Sequence, residues 1–250
     1  MSGTVRRPVP AGRSLTARVN VGADTWSMIW SLVHRVLVVN LGLAVTNLPL
    51  LVALAVVAQP WRYPVFFGLL AVSIGPATAA AFGYLRRAED DDRAPVREYF
   101  RAYRRNFAAA TLRWSAGLAL LAVLATDIVL LHDAGVAAVL VPLLVVTAVL
   151  VLAALVLLLA MVELAPGLGV RAAVRVAAWS AVRRAPLSLV SLALLLVAAL
   201  SVNQAPLLAL ATLPGCALLV VWVNSRAALA PALPVVPVLR TVTGAESGAD

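Results

Sequence analysis

From Val36 to Val223 the chain is a succession of apolar runs, each near the length a lipid bilayer demands of a helix. A hydrocarbon core about 30 Å thick is crossed by roughly 20 apolar residues in helical conformation. Runs of that order occupy 36–57, 64–85, 108–131, 135–162, 186–202 and 206–223. The fourth is longer than needed and should tilt or project. The fifth and sixth are separated by Asn203-Gln204-Ala205-Pro206, a polar turn marked by proline, so they read as two helices. Backbone groups have no water to bond inside lipid, which leaves the helix as the natural spanning element for runs of this length. The expected fold is therefore all-α, a polytopic membrane bundle of about six transmembrane helices.

Composition agrees. Of the residues, 63% are hydrophobic and 12% charged, against about 25% charged in soluble domains. That much apolar side chain exceeds what a soluble core of this length hides, and the remainder must face lipid. The formal charge of +9 does not point to nucleic acid, because the cations cluster between the apolar runs. All 20 basic residues are arginine, and with the Ala, Val and Leu excess this suggests a GC-rich bacterial source. The one cysteine, Cys216, lies inside an apolar run and forms no intramolecular disulfide.

The arginines also orient the bundle. With the N-terminus inside, the outer connections are 59–63, 132–134 and 203–205, and they contain a single arginine, Arg62. Cytoplasmic loops carry the arginine excess. Both termini are thus expected in the cytoplasm, and the location is a bacterial plasma membrane. Residues 1–25 read as a flexible basic tail, 26–228 as the transmembrane domain, and 229–250 as a disordered tail rich in Pro, Ala and Gly. Val56-Val57-Ala58 imitates a signal cleavage site, but the run before it is longer than a signal peptide's apolar core.

Two inner loops stand out. In 93–107, Val96, Tyr99, Phe100, Tyr103 and Phe107 recur at helical spacing, with Arg101, Arg104 and Arg105 on other faces. Such a helix is expected in the interface, rings toward the acyl boundary and guanidinium groups among anionic headgroups. The same pattern would suit docking of a cytoplasmic partner, and Glu89 to Asp92 would cap its start. The second loop carries Arg183 and Arg184. Ala102-Tyr103-Arg104-Arg105 and Ala181-Val182-Arg183-Arg184 resemble a faint internal repeat, each opening a helical hairpin.

Polar groups at membrane depth are the candidates for function. Asp127 falls near the outer end of the third run, close to His132 and Asp133, where water reaches it. Arg113 and Glu163 fall at similar depth on antiparallel neighbours and could pair, although Arg113 could equally snorkel. Asn40 and Asn47 read as interhelical hydrogen-bond donors. Gly75, Ala79 and Gly83 form a small-residue stripe for close packing, within one chain or between two copies. Pro76 should bend the second helix, and Pro214-Gly215 the sixth.

Several of these segments also carry a family resemblance. Asn40-Leu41, Leu48-Pro49 and Gly75-Pro76-Ala77-Thr78-Ala79-Ala80 are followed by Tyr99-Phe100-Arg101-Ala102-Tyr103-Arg104-Arg105-Asn106-Phe107 and Ala110-Thr111-Leu112. In this order, over Trp30 to Trp114, they resemble the YesL-like family of bacterial membrane proteins. This chain differs in a longer stretch between Pro49 and Gly75, which separates its first two helices. The resemblance implies a protein of unknown biochemical activity associated with sugar uptake and carbohydrate-use operons, and it transfers no catalytic residue.

The expected function is a non-enzymatic accessory or regulator of a carbohydrate ABC-type transporter. A small-solute transporter built around Asn40, Asn47, Pro76 and Pro214 is the alternative. With two histidines, one cysteine and no clustered carboxylates in the spans, enzymatic groups are lacking. No cofactor, metal or nucleic acid is expected. Expected partners are the bilayer with its anionic headgroups and ABC transporter subunits.

Overall fold

A computed structural model describes residues 16–90, 94–131, 137–204 and 206–233. The outermost parts of both tails, and the loop that contains His132 and Asp133, lie outside the described residues. Nine α-helices and no strand occur among those described: α1 (Thr16–Thr46), α2 (Leu48–Val56), α3 (Pro64–Ala71), α4 (Ile74–Asp90), α5 (Val96–Leu131), α6 (Ala137–Leu164), α7 (Val170–Arg183), α8 (Ala185–Gln204) and α9 (Pro206–Leu229).

Four stretches are long and apolar enough to cross a membrane: Met28–Thr46, Pro64–Asp90, Val96–Leu131 and Val139–Leu164. A fifth is counted if α7 and α8, bent by 94° at their junction, form one span. The described apolar part of α9, Leu213–Leu229, is shorter. The expected six runs thus correspond to α1, α3 with α4, α5, α6, α8 and α9, and four of them reach full length on their own.

The first span begins earlier than its hydropathy predicts, and helix extends back to Thr16, inside the stretch read as a tail. It ends at Thr46 because Leu48-Pro49 follows. Pro49 offers no N–H and disfavours helical geometry in the residue before it, and Asn47 marks the break with φ −106° and ψ 16°. The second run is also divided. Val72 N–H bonds Leu69 O and Ser73 N–H bonds Leu70 O in a tightened turn, and α4 starts afresh at Ile74. Pro76 therefore sits in the first turn of α4 and does not kink the middle of a helix.

The largest departure is α5. The expected interfacial helix and the third span are one uninterrupted helix of 36 residues. Pro95 precedes its first turn, and no glycine or proline interrupts Val96–Ala116. At 1.5 Å per residue it is about 54 Å long, well beyond a ~30 Å core, so its arginine-bearing end projects from the bilayer. Of its patterned face, Tyr99 is buried, Val96, Phe100 and Tyr103 are partly buried, and Phe107 is exposed. Tyr99, Ala102, Asn106, Ala110 and Trp114 are buried against the bundle, while Arg101, Arg104 and Phe107 stay exposed. The two Arg-Arg sequences share no geometry either, since Arg104-Arg105 lies within α5 whereas Arg183-Arg184 ends α7.

The core lies around α4, which packs chiefly on α5 and also meets α1, α6 and α9. From Gly75 to Leu85 every residue of α4 is buried. Its small residues make this possible. A Cβ on Gly75 would overlap the Trp114 side chain, and one on Gly83 would lie 2.9 Å from Ala102 Cβ. Ala79 between them is fully buried. The stripe therefore serves packing within the chain and is covered by it.

Candidate functional site

Three helices meet at the arginine-rich end of the bundle: the C-terminal turns of α4, the Arg105–Arg113 stretch of α5 and the C-terminus of α6. They enclose a cleft of about 580 Å³ lined by residues that include Arg86, Arg87, Asp90, Arg105, Arg113 and Glu163. Glu163 is its anchor, only 5% exposed although charged. Arg105 Nη2 donates to Glu163 Oε1 at 2.5 Å, and Asn106 Nδ2 donates to the same oxygen. Arg86 Nη1 donates to the main-chain oxygen of Glu163. Gly83 lets the carboxylate approach α4, since a Cβ there would fall 2.5 Å from Glu163 Oε1. A buried carboxylate needs such partners, because unpaired burial of the charge costs several kcal/mol.

The expected pairing of Glu163 with Arg113 is replaced by Arg105. Both residues line the cleft, consistent with their similar depth, but Arg113 Nη1 donates to Leu158 O at 3.4 Å. About two helical turns separate Arg105 from Arg113, and the nearer one holds the carboxylate. Arg105 keeps 58% of its side chain exposed, so the pair is half solvated.

The other polar candidates serve packing. Asn40 Oδ1 accepts the N–H of Gly215 at 2.6 Å, joining α1 to α9. The contact is close enough that a Cβ on Gly215 would meet Val36 O at 2.7 Å. Pro214, inside α9, supplies no N–H at the neighbouring position. Asn47 Nδ2 donates to Leu43 O at 3.0 Å, and its Oδ1 accepts from Ser73 Oγ at 2.8 Å, tying the break after α1 to the break before α4. Asp127 is half-buried near the far end of α5, away from the cleft.

The aromatic candidates divide. Tyr99 is fully buried and not at an acyl boundary. Its hydroxyl donates to Ala77 O at 3.1 Å, and its ring occupies the space beside Gly42. Phe100 and Tyr103 are partly buried against the core, and Phe107 is exposed with its ring 5.5 Å from that of Tyr103. Arg101 pairs with Glu98 at 2.6 Å, Arg104 and Arg184 are exposed, and Arg183 lies 6.0 Å from the Trp179 ring.

Glu89 takes a role that sequence reasoning misses. Its position before α5 suggests a cap, yet its Oε1 accepts from Trp222 Nε1 at 2.9 Å and from Arg226 Nη1 at 2.5 Å. It thereby joins α4 to α9, where Phe82 and Trp222 stack with centroids 5.5 Å apart. Asp91 and Asp92 lie outside the described residues. Among the described residues no three His, Cys, Asp or Glu side chains are grouped to hold a metal.

Long apolar helices packed around a small-residue helix, with polar contacts at their breaks and arginines at one end, define a polytopic α-helical membrane protein. Residues 35–128 match a family described as "Protein of unknown function, DUF624". The matched region runs from the middle of α1 through most of α5, and it includes the motifs that resemble the YesL-like family. No curated protein and no solved structure matches the chain.

Proposed function

We propose that this chain is a non-enzymatic accessory or regulatory component of a membrane transport system, of the carbohydrate ABC type that the YesL-like resemblance suggests. The observation that carries the reading is a set of arginines at one end of the bundle that the fold leaves outward. Arg97, Arg101 and Arg104 on α5 and Arg183 and Arg184 at the α7–α8 turn are exposed, while the aromatic residues Tyr99 and Tyr103 beside them pack inward. Such a surface suits a partner with acidic cytoplasmic loops, where cationic rims steer association and fix register. The solute-transporter alternative is weakened because Asn40 and Asn47, its polar candidates, are both occupied in helix–helix contacts.

The test is affinity purification of the tagged full-length protein in mild detergent, with mass spectrometry of the copurifying chains. Permease or ATPase subunits are expected at near-stoichiometric yield. Substituting Arg101, Arg104, Arg183 and Arg184 together by glutamine should reduce that yield about tenfold or more. Recovery of the protein without any transporter subunit across growth on different sugars contradicts the proposal.

A further inference from the structure

Arg113 borders two depressions. Besides the charged cleft, its side chain lines the mouth of a second one of about 330 Å³, enclosed by α5, α6 and α7. This groove is walled by Leu112, Ala116, Gly117, Leu155, Leu158 and Val174, and Arg113 is the one charged residue among its described lining. It follows α5 from Leu112 to Leu120 and α6 from Leu158 back to Val151, away from the arginine-rich end. At the helical rise that is about 12 Å, most of one leaflet's half of a ~30 Å core.

The chemistry of the two compartments is complementary in one direction only. Four guanidinium groups, of Arg86, Arg87, Arg105 and Arg113, face two carboxylates, of Asp90 and Glu163, so the cleft carries a surplus of two positive charges. Glu163 is already engaged by Arg105 and Asn106. An anionic group is therefore favoured at the level of the membrane surface, and an apolar chain directly beneath it. A soluble anion would use the cleft and leave the groove unfilled. A peptide would need partners for its backbone groups, which the apolar groove does not offer. An amphiphile with a phosphate at one end satisfies both.

We propose that the cleft and the groove that share Arg113 together bind one anionic phospholipid of the arginine-side leaflet, with its phosphate among Arg86, Arg87 and Arg113 and an acyl chain between α5 and α6 beneath α7. Basic pockets between transmembrane helices recognise anionic headgroups in this way. The site does not depend on which protein partner the exposed arginines engage.

Native mass spectrometry of the delipidated full-length protein, titrated with phosphatidylglycerol or phosphatidylcholine, reads the proposal. The wild type should take up one phosphatidylglycerol at a concentration about tenfold lower than phosphatidylcholine, because the two share the phosphate but the choline cation of phosphatidylcholine is repelled by the arginine surplus. Arg87→Gln combined with Arg113→Gln should abolish that preference. Ala116→Phe, which fills the groove, should weaken both lipids together, whereas Val129→Phe on the exposed outer surface of α5 should change neither. Equal affinity of the wild type for the two lipids overturns the proposal. So does displacement of the bound lipid by millimolar inorganic phosphate together with indifference to Ala116→Phe, which would mark a free-anion site. If a variant fails to fold, the wild-type lipid preference and the phosphate competition decide alone.

Discussion

Replacing Arg105 by leucine is expected to destabilise the detergent-solubilised protein more than replacing Glu163 by glutamine, although each removes one member of the same pair. Arg105→Leu leaves the Glu163 carboxylate buried with Asn106 as its remaining described side-chain donor. Removing one partner of a fully buried ion pair costs about 3–5 kcal/mol. Because the Arg105 side chain is 58% exposed, solvent screening brings the expected loss to about 2 kcal/mol. Glu163→Gln keeps an acceptor of the same shape beside Arg105 and Asn106 and removes the buried charge, so its cost should be about 1 kcal/mol. The order of the two thermal-unfolding midpoints is the informative quantity. A larger loss for Glu163→Gln would mean that the carboxylate is stabilised by something other than Arg105.

The second large effect is expected at Gly215. A methyl group there would lie 2.7 Å from the main-chain oxygen of Val36 and 2.9 Å from Asn40 Oδ1. A backbone oxygen inside a helix cannot turn aside, so α1 and α9 must separate, and the Gly215 N–H to Asn40 bond lengthens with them. Gly215→Ala should therefore cost about 2 kcal/mol, in the range of overpacked cores. Gly68 supplies the contrast. It lies in α3, where an added methyl group would meet nothing within 4 Å, and Gly68→Ala should be neutral or stabilising by up to about 1 kcal/mol through helix propensity. Equal thermal shifts for the two substitutions would contradict the close approach of α1 to α9.

These residues also show how far the amino-acid order reveals the fold. Apolar run length locates the helices because bilayer thickness imposes it, and the same reasoning places Arg113 and Glu163 at one end. It does not say which arginine reaches the carboxylate, since that choice depends on how α4 supplies a gap at Gly83. The periodicity of Tyr99, Phe100, Tyr103 and Phe107 identifies an amphipathic face, but periodicity does not state what covers it. Tyr99 is covered by α4 and by Gly42 of α1 while Phe107 stays exposed, and the glycines and alanines of α4 carry little hydropathic signal yet allow some of the closest packing in the molecule. The break after Thr46 is legible in Leu48-Pro49, whereas averaging over a long apolar run conceals it. Asn40 illustrates the reverse limit: a polar residue at membrane depth invites a functional reading, and here it satisfies one backbone N–H of a neighbouring helix.

The partner surface requires the arginine-rich end of the bundle to face the cytoplasm, and the same orientation decides which leaflet supplies the lipid of the cleft. Cysteine labelling tests this directly. In a Cys216→Ser background, Arg62→Cys and Arg184→Cys would be expressed separately and treated with a membrane-impermeant maleimide in intact spheroplasts. Position 62 should label in intact spheroplasts, and position 184 only after permeabilisation. Labelling of position 184 in intact spheroplasts, with position 62 protected, would invert the bundle and contradict the proposed orientation.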